Sequence, residues 1–189
     1  MERDNWKPGN MLYPLPAVMV SVKDKEKQRT NIITIAWCGN VCTNPPMVYI
    51  SVRKERRSYK LLLETNEFVI NLVNEDLVFA CDYCGVKSGN DVDKFKHLNL
   101  TENTLPHIDT KGILESPVNI ECKVNKVLDL GSHTMFIADV VGVNVDKKYL
   151  DSNNKFDLNK ASLITYSHGE YFSLGSVLGK FGYSIKKSK

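Results

Sequence analysis

The sequence has no apolar run long enough to cross a membrane. Stretches such as Ile32 to Trp37 and Phe68 to Ile70 fall far short of the ~20 residues a span needs. The opening Met1-Glu2-Arg3-Asp4-Asn5 leads into no apolar segment of a secretory signal, so a cytoplasmic protein is expected. Charge of one sign is scarce: 25 Lys and Arg face 22 Asp and Glu, a net +3. Lys186, Lys187 and Lys189 at the end of the chain supply that excess. Such a balance is no nucleic-acid footprint. Cysteines are few and odd in number (Cys38, Cys42, Cys81, Cys84, Cys122), which points to reduced thiols rather than a disulfide framework. No Gly-rich strand-to-helix turn occurs, which argues against a Rossmann unit. No HExxH, P-loop or Ser-His-Asp spacing supports a metal-dependent or nucleophilic hydrolase.

What is present is ordinary globular composition, with 42% hydrophobic residues over 189, enough for one domain with a real core. Ala17 to Val22, Asn31 to Cys38, Met47 to Val52 and Phe68 to Val73 read as short strands separated by polar or Pro-containing breaks. Ser58 is placed to cap a helix over Tyr59 to Thr65. Asn74 is placed to cap a second helix, with Gly85 as its stop. Val118, Ile120, Cys122 and Val124 alternate with Asn119, Glu121, Lys123 and Asn125, the period of a half-buried strand. Thr134 to Val145 reads as a long strand, apolar on both faces, and Leu163 to Tyr166 as a late short one. The class is mainly β, a closed antiparallel barrel with short helices around it.

The chemistry-bearing residues concentrate between Asn31 and Tyr59. On a strand, Asn31, Ile33, Ile35 and Trp37 share one side, and Ile32, Thr34 and Ala36 the other. Polar side chains in such a strand need partners: a phosphate or the edge of a planar heterocycle, or simply turn backbone. Arg53, Arg56, Arg57 and Ser58 precede the proposed helix, where they form either an anion site or a solvated loop. Ser88-Gly89-Asn90-Asp91-Val92-Asp93-Lys94-Phe95 can fold over a phosphate with Lys94, or be a plain loop in which Asp91 or Asp93 caps a short helix. Cys81-Asp82-Tyr83-Cys84 has no second metal-ligand pair and falls at a helix end, so it is read as structural thiols. His133, at the start of the second-half strand, is the histidine best placed to enter a pocket. His97, His107 and His168 are expected at the surface.

Taken in order, several stretches resemble the flavin reductase-like, FMN-binding split-barrel family, in particular its flavoredoxin and flavin-reductase branch. They are Asn31 to Trp37, Asn44 to Arg53, Arg57 to Tyr59, Phe68 to Leu72, Tyr83 to Gly85, Ser88-Gly89, Asp93 to Phe95, Glu121-Cys122 and His133-Thr134. The resemblance covers about Pro14 to Val145. It implies a single domain over residues 1–189, with a six-stranded antiparallel Greek-key split barrel over about 14–145, short peripheral helices and a C-terminal extension over 146–189. It also implies a homodimer with one FMN per subunit near the interface. By the same resemblance Asn31, Thr34, Ile35, Ala36 and Trp37 line the flavin, followed by Ser51, Val52 and Arg53. Arg57, Ser58, Tyr59, Ser88 and Lys94 hold its phosphate end, and His133 lies by the isoalloxazine or the nicotinamide approach. No metal is implied.

Three functions follow as expectations. One is a reductase that takes hydride from NADH or NADPH and passes electrons to free flavin, ferric complexes or a partner protein. Another is a flavoredoxin-type electron carrier reduced by another protein. The third is a flavin-free module that uses the basic cluster for an anionic partner.

Overall fold

A computed structural model describes residues 1–185, and the closing lysines Lys186, Lys187 and Lys189 lie outside them. The strands of the first half are β1 (Leu15–Pro16), β2 (Val18–Asp24), β3 (Arg29–Ile35), β4 (Cys38–Cys42), β5 (Met47–Arg53) and β6 (Glu67–Leu72). Helix α1 (Arg57–Thr65) separates β5 from β6, and α2 (Val78–Val86) and α3 (Lys94–His97) follow. The second half holds β7 (Glu102–Asn103), β8 (Gly112–Ile113), β9 (Val118–Asp129), β10 (His133–Val145), α4 (Leu158–Ala161), β11 (Ile164–Ser167) and β12 (Glu170–Ser173). No helix among these is long and apolar enough to cross a membrane.

The main sheet has seven strands in the order β3-β2-β6-β9-β10-β5-β4 rather than six. The extra strand arises where the single strand expected over Asn31 to Cys38 divides. β3 pairs with β2 as far as Ile35, and after Ala36 and Trp37 the chain resumes as β4 against β5. The two edge strands are thus consecutive in the chain, and the bond from Ser51 N to Trp37 O (2.8 Å) joins β5 to the joint between them.

Period-two alternation divides β3 between two cores. Ile33 and Ile35 enter the barrel core with Val20, Ile50, Val52, Phe68 and Phe136, which Leu61 and Leu62 of α1 cover. Ile32 faces the other way, into a second core with Met19, Ala80, Cys81 and Cys84 under α2. Strand β9 departs from its expected half-burial. Asn119 and Glu121 are buried because the segment leading into β8 lies over them, with Glu121 accepting from His107 N (2.8 Å) and Asn119 donating to Ile113 O (3.0 Å).

Two helix boundaries differ from expectation. Arg56, extended, takes the N-cap of α1, so Ser58 sits inside the first turn. Gly85 does not end α2, which runs to Val86; the position lets the helix approach Thr34, whose Cβ would lie 3.2 Å from an added Cβ. Asn74 precedes a 3-10 turn (Glu75–Leu77) without a side-chain cap bond. Asp93 does cap α3, accepting from Lys96 N at 3.3 Å.

Candidate functional site

Two cavities open where β3 gives way to β4. The larger, about 790 Å³, is walled by Thr34, Ile35, Ala36 and Trp37, by Ser51, Val52 and Arg53 of β5, and by His133 at the start of β10. The register brings them together, since His133 pairs with Arg53 and Thr134 with Val52. The Trp37 and His133 rings lie nearly parallel, 10° apart in plane with centroids 6.1 Å apart. His133 Nδ1 is 2.9 Å from Ser132 Oγ. Seven of the expected site residues besides His133 thus share one wall.

The smaller cavity, about 130 Å³, adjoins it through Ile33 and Arg56, which line both. Its polar lining is Asn31, Glu55, Arg56, Arg57, Ser58, Lys87, Ser88 and Lys94, with Gly89; the cations outnumber the one carboxylate. Asn31 Nδ2 donates to Ser58 Oγ at 2.8 Å, both side chains being buried. Lys94 is 3% exposed, and its ammonium donates to Ile32 O (2.6 Å) and Cys84 O (2.8 Å). An ammonium carries three donors, so one hydrogen remains for the cavity. Burial pushes this lysine down to about 8. Gly89 is required by close approach: a Cβ there would meet Asn31 Oδ1 at 1.9 Å.

Of the expected phosphate residues, Arg57 lines the smaller cavity with its guanidinium already engaged by carboxylates, and Tyr59 lies outside both cavities. The Arg57 guanidinium forks onto the fully buried Asp24 (3.0 Å to each oxygen) and onto Glu26 (2.7 Å), which makes it a structural ion pair. The Tyr59 ring packs edge-on to Phe136 in the barrel, outside both cavities. Thr34, in the wall of the larger cavity, donates its hydroxyl to Cys81 O and so ties β3 to α2. Arg56, beside Arg57, reaches both cavities, and among the described residues no carboxylate pairs with it.

The C-terminal extension contributes more than expected. Strand β1 pairs with β11 (Leu15 opposite Tyr166) and β11 with β12, which brings Tyr166 and Tyr171 to the large cavity beside Asn10. The Tyr171 hydroxyl donates to Asp82 Oδ1 at 3.2 Å. No local signal could reveal this wall, because its pairing spans the whole chain.

The CxxC pair is what the sequence suggests. All five cysteines are free, and burial pushes Cys81 up to about 12 and Cys84 up to about 11. Among the described residues no group of three or more His, Cys, Asp or Glu side chains could hold a metal ion. His97, His107 and His168 are exposed, though His107 Nδ1 lies 3.0 Å from the buried Glu121 carboxylate.

This architecture has close counterparts. It superposes on flavoredoxin of Desulfovibrio vulgaris (Miyazaki F) with a TM-score of 0.91 and 30% identity, over 98% of this chain and 100% of the other. It has the fold of flavoredoxin from Methanosarcina acetivorans too (TM-score 0.88, 24% identity, 98% and 100% covered). In sequence it is 26% identical, over 71% of its length, to a high molecular weight rubredoxin of Moorella thermoacetica, covering 58% of that protein. The model of the flavin reductase like domain matches residues 11–175, so the resemblance extends through β11 and β12, and the chain belongs to that flavin-binding family.

Proposed function

We propose that the protein binds FMN and works as an oxidoreductase, with NADH or NADPH as hydride donor and free flavin, a ferric complex or a partner protein as acceptor. The observation that carries this reading is the pairing of the two cavities. The larger is of the size and mixed lining typical of cofactor sites. The smaller has the donor set of a phosphate site, with a buried lysine, a serine in the first turn of a nine-residue helix, and a glycine where backbone must come close. The residues present therefore fit the group that the family binds.

When bound, the flavin supplies a hydride acceptor that releases electrons one or two at a time. The chain's own part is to bind and orient. Lys94, Ser58 and Arg56 would hold the phosphate, with Asn31 keeping the Ser58 hydroxyl turned toward them. Ile35 to Trp37 and Ser51 to Arg53 would support the ring system along two strand segments. His133 and Trp37 would flank the side from which a nicotinamide approaches, with Arg53 as the nearby cation for its phosphates. No acid–base triad is required of the protein for hydride transfer between stacked rings.

A homodimer in the cytoplasm completes the proposal. The exposed apolar side chains Trp6, Leu12, Leu178 and Phe181 near the two chain ends support association. A second reading, an electron carrier reduced by another protein, draws support from the flavoredoxin of Desulfovibrio vulgaris and the high molecular weight rubredoxin. Titration with FMN and riboflavin, followed by quenching of flavin fluorescence, tests the site. FMN should bind at least about tenfold tighter, as a charge-assisted phosphate contact requires. Equal affinities would contradict the phosphate assignment, and no binding of either would remove the whole reading.

A further inference from the structure

The small cavity owes one wall to the irregular segment 87–93 between α2 and α3, and that segment is held from behind by two cations. Gly89 is buried with its Cα against the Asn31 side chain, on the cavity side. On the other side its carbonyl accepts from Arg29 Nη2 at 2.6 Å and from Lys27 Nζ at 3.4 Å. Lys27 Nζ also donates to Asn90 O (2.8 Å), and Arg29 Nη2 to Val92 O (3.3 Å). Arg29 Nη1 lies 3.7 Å from Asp93 Oδ2, and the other oxygen of Asp93 caps the helix that begins with Lys94.

Neither cation lines the small cavity. Both border a separate groove of about 680 Å³ with Phe95 and Lys96, behind the loop. Their bonds converge on three carbonyls in four residues, Gly89, Asn90 and Val92. Within the segment, Asp91 N and Val92 N donate to Ser88 O (3.2 and 3.3 Å) and Asn90 N to Ser88 Oγ (3.1 Å), which closes a turn but does not tie that turn to the barrel; the two cations do. Bonds from charged donors to carbonyls are among the stronger single contacts a protein makes.

We propose that Lys27, in the turn between β2 and β3, and Arg29, the first residue of β3, are positioning residues for phosphate binding. They pull the loop carbonyls outward, seating Gly89 against Asn31 and setting the helix start that delivers Lys94. The hairpin thereby couples the barrel to the phosphate pocket without touching the ligand. This rests on the assignment of the small cavity to the FMN phosphate.

The test is the ratio of FMN to riboflavin affinity, measured by fluorescence titration on the full chain for Arg29→Gln, Lys27→Ala, Arg29→Lys and Lys25→Ala. Riboflavin lacks the phosphate, so a variant that merely loosens the fold weakens both ligands together. Arg29→Gln should lose about tenfold in FMN affinity, the scale of one charge-assisted bond, with riboflavin within about twofold. Lys27→Ala should lose less in the same sense, and Arg29→Lys should recover part of the loss because an ammonium can still reach Gly89 O. Lys25→Ala removes the same charge from the same turn without touching the loop and should change nothing, which separates positioning from long-range attraction. If Arg29→Gln fails to fold by circular dichroism, Lys27→Ala, on an exposed side chain, carries the test. The proposal falls if variants keep the wild-type ratio, if both ligands weaken equally, or if Lys25→Ala matches Lys27→Ala. A wild-type protein with no preference for FMN overturns the phosphate assignment itself, and the inference with it.

Discussion

Asn31 of β3 and Ser58 of α1 meet in a single buried hydrogen bond, Nδ2 to Oγ at 2.8 Å, in the wall of the smaller cavity. Through it the strand that continues into the larger cavity and the helix turn that lines the smaller one share one geometry. The hydroxyl acts as acceptor toward Asn31 and keeps its own proton free to donate. Removing it together with the Lys94 ammonium strips the small cavity of two of its buried donors. Ser58→Ala with Lys94→Ala should weaken FMN binding by at least about tenfold. Unchanged affinity in a fluorescence titration would sink the phosphate assignment.

Lys94 also sets a pH dependence. Burial lowers it to about 8, while the FMN phosphate stays dianionic above about pH 7. Binding favours the charged lysine, so above about pH 8 complex formation must take up a proton. FMN affinity should therefore fall as pH rises through that value, and riboflavin affinity should not. Stability of the flavin-free protein should move the opposite way. The folded lysine binds its proton less tightly than the unfolded one, near 10.4, so stability contributed by this group rises between about pH 8 and that value. Lys94→Met should abolish both trends in parallel titrations.

Arg57 is predicted to matter for stability rather than for the cofactor. Its guanidinium is the partner of Asp24, which is fully buried. Arg57→Ala would leave that carboxylate unpaired, at a cost of about 3–5 kcal/mol. Chemical denaturation should show this loss, and the double variant with Asp24→Asn should recover part of it. A loss of FMN affinity in Arg57→Ala with unchanged stability would restore Arg57 to the phosphate site.

The sequence made the strands legible because period-two alternation marks β3 and β9 as strands, though the cover over Asn119 and Glu121 buries the face of β9 that its polar residues mark as outer. It also pointed to Lys94 and Ser88 through the loop they share. What escaped it depended on partners distant in the chain. Arg57 looks free until Asp24 and Glu26, more than thirty residues upstream, come beside it. Tyr166 and Tyr171 enter the large cavity because β1 pairs with β11 across 150 residues. The break at Ala36 and Trp37 escaped because the apolar run continues through both without a Gly, Pro or polar residue to mark it, and only the change of pairing partner divides the strand.

Cys81 and Cys84 should prove dispensable for electron transfer. Both thiols are buried within α2 and stay protonated at neutral pH, far from the thiolate form that redox chemistry needs. The double change to serine should leave the rate of flavin reduction within about twofold, because neither thiol lies in the larger cavity. A large loss of turnover in a protein with native circular dichroism would show that the pair takes part.

On the proposed function the paired cavities hold an FMN reducible by a pyridine nucleotide. The decisive measurement is the visible spectrum of the FMN-loaded protein, recorded anaerobically before and after NADH and then NADPH. Bleaching of the oxidised-flavin band by either nucleotide is the predicted result. A band that persists with both nucleotides, yet bleaches when a reduced electron-transfer protein is added, would contradict it and leave the protein a carrier.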